Sequence, residues 1–338
     1  MTVLDEVIRL PPGNAEGKGP ILVKKSWWIA STAGAAVLVV AVVLVVRELS
    51  GPTNGTDPAP SSSEAVAPDR RSVLAVKIDN VAAARPQTGL SAADLVYVEP
   101  VEGGLTRLLA LYRGRPPGVI GPVRSARATD LGLLAQFGRP SLAYSGAAPE
   151  LLPALRSASL TSASPTEIPN AYFRDDSRPS PHNLYLRPQQ VPDGEVAPQG
   201  AFPAAGAAPG SGTAAATAAI RYPAAAFTFT WSPDIGRYLI GLDGSPLTSV
   251  DGGKAGAATI VEQRVAVRLG ERGETGTVPN SPIAQTVGTG QATMWRDGQR
   301  FAGTWSRATA TAPTRFTTAS GQPLPVSDGP LWILLVAA

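Results

Sequence analysis

The chain has 338 residues, which at about 150 residues per domain points to two domains. It carries 29 Lys and Arg against 26 Asp and Glu, with one His and no Cys. The last two counts exclude disulfides, thiol nucleophiles, iron–sulfur and zinc-thiolate centres, lipid attachment through a cysteine, and any metal site that needs several histidines. No cofactor or metal is expected. Only five of the basic residues are Lys, and with abundant Ala, Gly and Pro this Arg bias follows the composition as a whole. A net charge of +3 over this length is a weak electrostatic footprint, so nucleic acid is not an expected partner.

Residues 1–26 read as a cytoplasmic tail. Trp27 to Val46 is a run of 20 residues without a charge. As a helix it would be about 30 Å long, the thickness of the hydrocarbon core of a bilayer. Trp27 and Trp28 stand where interfacial aromatics belong, and Arg9, Lys18, Lys24 and Lys25 precede the run while only Arg47 closely follows it. The positive-inside rule then predicts a single-pass plasma-membrane helix with everything after Val46 extracytoplasmic. A cleaved signal peptide fits less well, because its apolar core runs about 7–15 residues and ends in an Ala-x-Ala-like site. Residues 47–70, rich in Pro, Ser and Gly, read as a flexible stalk.

From residue 71 the pattern becomes globular, and the expected class is α+β. Val73–Ile78, Leu95–Val98, Leu105–Tyr112 and Ser141–Tyr144 have the composition of strands. Ala126, Leu133, Leu134 and Phe137 share one helical face that Gly138 would stop, and Leu151, Leu152 and Leu155 predict a second helix beginning near Pro149. Alternation of these elements predicts an α/β domain over 71–192. Residues 193–219 are low-complexity Pro/Gly/Ala sequence, expected as a linker or long surface loop. Residues 220–338 read as a mostly β domain. Phe227–Trp231 and Tyr238–Leu242 bracket a turn, Asp243-Gly244 and Asp297-Gly298 are hairpin dipeptides, and Leu331–Val336 reads as a buried strand.

Polar residues follow the predicted strands of the first domain: Asp79-Asn80, Glu99 with Glu102, and Ser145-Gly146. They would converge on one crevice if their strands are parallel. Between Gly103 and Thr129 there is no acidic residue, whereas Arg107, Arg113, Arg115, Arg124 and Arg127 all lie there. Arg124 and Arg127 should sit at the first turn of the predicted helix, where guanidiniums and helix N–H groups together would hold a phosphate or carboxylate. The competing reading pairs these arginines with Glu99, Glu102, Asp130 or Asp175 as structural ion pairs. His182, next to Asn183, is either a hydrogen-bonded loop residue or a general acid/base working with Glu99 or Glu102. No Ser-x-x-Lys, Gly-x-Ser-x-Gly, His-Glu-x-x-His or Walker phosphate loop is present.

The co-linear series KIDN (77–80), ARPQTGL (84–90), ADLVYVEPVEGGLTRLLALY (93–112), IGPVRSAR (120–127), YFRD (172–175), PHNLY (181–185), GTGQATMWRDGQ (288–299) and GTWSR (303–307) resembles the YerB-like family of bacterial cell-envelope proteins. The resemblance covers about residues 70–338. It implies a two-domain extracytoplasmic protein, often a lipoprotein, and supplies no catalytic residue. Since this chain has no Cys to acylate, its apolar helix would take the place of the lipid. The leading expectation is therefore a membrane-anchored module that binds an anionic cell-envelope polymer or envelope protein. Arg107, Arg124 and Arg127 would supply the charge, and Asp79, Asn80, Glu102, His182 and Asn183 the hydrogen bonds. The alternatives are a cell-wall hydrolase or transferase using Glu99 or Glu102 with His182, and a structural partner in a membrane complex.

Overall fold

The computed structural model describes residues 72–210, 212–270 and 281–338. The expected tail, membrane helix and stalk lie outside these residues. Among those described, no helix is long and apolar enough to cross a membrane.

Apolar, β-branched runs form the centre of the molecule. Strands β1 (Val73–Ile78), β2 (Leu95–Pro100) and β3 (Thr106–Arg113) are buried on both faces, which is why they read as nearly continuous apolar segments. Antiparallel pairing of β3 with both β1 and β2 makes β1 and β2 run in one direction. The short β4 (Ser141–Ala143) and β5 (Thr161–Ala163) add parallel strands beyond β1. Helix α1 (Ala128–Leu134) precedes β4, and α2 (Leu152–Ser157) joins β4 to β5. One 3-10 turn extends α1 to Phe137, where Gly138 takes a left-handed φ of 77° and ends it. Strands β6 (Tyr172–Arg174) and β7 (Leu184–Leu186) pair as a separate hairpin.

The second half continues the same sheet. After β8 (Thr213–Ala214), β9 (Thr217–Tyr222), β10 (Ala225–Ser232) and β11 (Arg237–Leu242) come β12 (Thr259–Val265), β13 (Gly288–Arg296), β14 (Gln299–Arg307), β15 (Arg315–Thr318) and β16 (Leu331–Ala337). The central sheet has eleven strands in the order β15-β14-β13-β12-β16-β2-β3-β1-β4-β5, with β8 on β14. Strand β16 lies parallel to β2 on one side (Val96 opposite Trp332) and to β12 on the other (Ile260 opposite Trp332). Asp243-Gly244 and Asp297-Gly298 make the tight hairpins expected of them, with all four residues at positive φ.

Period-two alternation sends these strands into two cores. On one face Val76, Ile78, Val96, Val98, Trp332 and Leu334 meet Phe227, Phe229, Tyr238 and Ile240 of a five-stranded sheet built on β9, β10 and β11. On the other, Ala75, Leu95, Tyr97, Leu109, Ile333 and Leu335 pack with Leu133, Leu134 and Phe137 near α1, and with Met294 and Trp305.

The α/β expectation for residues 71–192 is corrected by this arrangement. The helices are only 7 and 6 residues long, because the apolar stripe of 126–137 meets Gly138 after two turns. A second sheet, not a helix layer, covers the opposite face. The low-complexity stretch 193–219 is laid against the body. Phe202 packs on Phe137 with ring centroids 4.8 Å apart, under the Arg113 guanidinium, and β9 already starts at Thr217. Residues 196–205 also line a cavity of about 820 Å³ with Asp94, Arg113 and residues 326–329.

Candidate functional site

The carboxyl end of β1 and the loop 120–127 build the site together. Val123 bridges Ile78, the Asp79 N–H donates to Pro122 O (2.9 Å), and the Arg124 N–H donates to Lys77 O (2.9 Å). From the other side the hairpin grips the same loop: Val123 N–H donates to Leu184 O, and Ile120 and Leu186 exchange both of their backbone bonds. Gly121 is required by this squeeze, since a Cβ there would lie 2.7 Å from the Tyr185 ring. His182, in the hairpin loop, is thereby carried to the end of β1, 103 residues away in sequence.

Asp79 is the hub. Its side chain is 2% exposed. One oxygen accepts the Asn80 N–H (2.9 Å); the other lies 2.7 Å from His182 Nδ1 and 3.1 Å from Arg124 Nε. Next to it, Glu102 receives Arg127 through Nε (2.8 Å) and Nη2 (2.9 Å), a two-pronged pair, and also accepts from Ser281 Oγ. Half-burial would raise the Glu102 carboxyl, but the hydrogen bonds from Arg127 and Ser281, with the charge of Arg127, bring its pKa down to about 2.

Arg107, at the start of β3, donates to Ser125 O (3.2 Å). Among the described residues no carboxylate lies within ion-pair distance of it. Its burial, and then the charges of Arg127 and Arg124, lower its pKa to about 10. Among the described residues the three guanidiniums thus meet two carboxylates, Asp79 and Glu102, which leaves one positive charge in excess. Ser145 adjoins the cluster: its N–H donates to Arg124 O, and its hydroxyl lies 3.5 Å from that of Ser125.

The groups that follow β1, β2 and β4 are therefore neighbours, as parallel strand ends require. Other expectations are corrected. At the first turn of α1 the Asp130 carboxylate accepts the Arg127 N–H at 2.6 Å, so an acid already stands at this end of the helix beside the arginines. Glu99 does not face His182. It is fully buried with Lys77 and Asp130, and Lys77 Nζ stands 2.7 Å from both Glu99 Oε2 and Asp130 Oδ1. Burial, followed by the Asp130 charge, outweighs Lys77 and raises the Glu99 pKa to about 8, so this carboxyl keeps its proton at neutral pH. Glu102 is held by Arg127, so the partner of His182 is Asp79. Asn80 is occupied by Thr106 and Gln87, and Asn183 by Arg174 (2.7 Å), which makes both structural.

Lys77 and Asp130 were not anticipated as a pair. The available signal was a lysine inside the apolar run Val73–Ile78, a position that demands a buried counterion. Among the described residues no cluster of three metal-ligating side chains occurs.

Residues 59–199 match the N-terminal domain, and residues 218–333 the C-terminal domain, of the protein of unknown function DUF3048. YerB of Bacillus subtilis (strain 168), by its name a candidate lipoprotein, is 41% identical over 87 residues. That match covers 26% of this chain and 24% of the relative, so it spans about a quarter of the relative's length. The crystal structure of YerB from Bacillus subtilis superposes with a TM-score of 0.66 at 20% identity, covering 79% of this chain and 91% of that one. At that identity the likeness is one of fold.

Proposed function

The chain belongs to the YerB-like DUF3048 family, and from that premise we propose that it is a membrane-anchored extracytoplasmic protein that recognises an anionic group of the cell envelope through Arg107, Arg124 and Arg127. The observation that carries this reading is Arg107. A largely buried guanidinium beside two others, with no carboxylate within ion-pair distance among the described residues, costs free energy that a bound anion would return. Two arginines already paired to Asp79 and Glu102 frame it, so the site has shape as well as charge. The lipoprotein name of the relative supports an extracytoplasmic address. The uncharged run Trp27 to Val46, in a chain without Cys, supports a transmembrane helix as the anchor and the bilayer as one partner. A polymer bearing phosphate or carboxylate groups, or an acidic face of an envelope protein, has the required chemistry.

Sedimentation of the full chain with isolated cell-wall material tests this. Binding should weaken with added salt and fall at least tenfold in Arg107→Gln, with the melting temperature retained. Equal binding by the variant and the parent would remove the site. The Glu99 or Glu102 hydrolase reading has no such support, because both carboxyls are committed to other partners.

A further inference from the structure

We propose that the Asp79–His182 pair makes this site hydrolytic, with His182 as the general base that directs water onto a phosphate diester held by the three arginines. The inference rests on the anion reading above and names the substrate class and the reaction.

An ionised carboxylate only accepts hydrogen bonds, so the 2.7 Å contact assigns the proton of the imidazole to Nδ1. Nε2 then carries the lone pair. The backbone N–H of Asn80 and the guanidinium of Arg124 hold Asp79 in place, so a buried, fixed carboxylate sets both the tautomer and the ring orientation. His182 is partly exposed where Asp79 is not, with side-chain exposures of 21% and 2%. The only imidazole in the chain is therefore oriented by an acid at the edge of the arginine cluster. Among the described residues the cluster keeps one positive charge in excess, which the single negative charge of a phosphate diester would balance.

In the proposed step Nε2 takes a proton from water while the water oxygen bonds to phosphorus and the bond from phosphorus to one ester oxygen breaks. The imidazolium then gives that proton to the departing alkoxide, and Asp79 remains ionised throughout. The products are a phosphate monoester and an alcohol. Arg107, Arg124 and Arg127 neutralise the charge that builds on the phosphoryl oxygens.

The test uses the full chain in detergent, with bis(p-nitrophenyl) phosphate for turnover and pyrophosphate, measured by calorimetry, for binding. Nitrophenolate should be released. His182→Gln should lose a hundredfold or more of kcat while binding pyrophosphate as the parent does. Asp79→Asn, a change at a positioning residue, should lower kcat at unchanged KM. Pyrophosphate binding without turnover, or turnover unchanged in His182→Gln, overturns the catalytic proposal and leaves the anion reading standing. Absence of both binding and turnover overturns the two together. Glycerophosphoglycerol and phosphatidylglycerol vesicles then separate the sources: cleavage of the first identifies a polymer-type unit, and of the second a lipid headgroup.

Discussion

Lys77, Glu99 and Asp130 form a fully buried inner cluster, and Asp79, Glu102 and the three arginines a more exposed outer one; Glu99 stands directly across the β2–β3 ladder from Arg107, yet the two clusters are closed in different ways. In the inner one a lysine lies against two fully buried carboxyls, and burial with the Asp130 charge pushes the Glu99 carboxyl up, towards its neutral form. In the outer one, among the described residues, three guanidiniums share two carboxylates, and Arg107 donates to a backbone carbonyl with no carboxylate within ion-pair distance. Charge that is balanced internally serves the fold. The charge left over at the partly exposed edge, among the described residues, is what the anion proposal rests on.

The sharpest way to break this contrast is Lys77→Met. It leaves a carboxylate buried without its cation and should cost about 3–5 kcal/mol of stability, read from urea denaturation. If the inner cluster is not a structural unit, the loss will be no larger than for an ordinary surface change. A second test uses pH. Folded Glu99 holds its proton up to about pH 8, whereas the unfolded carboxyl releases it near 4.5. Between those values the folded state binds the extra proton, so this group makes stability fall as pH rises, and Glu99→Gln should flatten the slope. Glu102 acts oppositely. With its folded pKa at about 2, its contribution is complete above 4.5 and is lost as pH falls towards 2. Calorimetric melts from pH 3 to 8 separate the two. The smallest expected effect is on binding at the outer cluster: Glu102→Gln releases Arg127 and should tighten pyrophosphate binding a few-fold. Weaker binding in that variant would mean that Glu102 itself holds the ligand.

How much of this was legible in the sequence depended on distance along the chain. The two Asp-Gly hairpins and the end of α1 at Gly138 are local devices and read directly. Leu331–Val336 reads as buried from composition alone, but its place between β2 and β12 is a pairing across more than 230 and about 70 residues, for which period and propensity carry no signal. The same limit governed the site. Arg124, Arg127, Asp79, Glu102 and His182 could each be named, and convergence of the strand ends could be expected from topology. The partner of His182 could not be chosen, because Asp79, Glu99 and Glu102 differ only in where their strands and turns aim them. Glu99 and Glu102 are three residues apart, yet one enters the core and the other the edge, because β2 ends between them.

The position of β16 also has a consequence for how the polypeptide matures. The two family segments look separable in sequence, but the first cannot cover the flank of β2 until a strand more than 230 positions later has been made. Residues 72–210 alone would present Leu95–Val98 as an open, apolar edge, the kind that templates self-association. The described body should accordingly melt in one transition, not two, and fold slowly for its size, since its decisive pairing is among its most distant. The order in which the strands are made therefore governs when this sheet can close, because β2 is flanked on that side only once β16 exists.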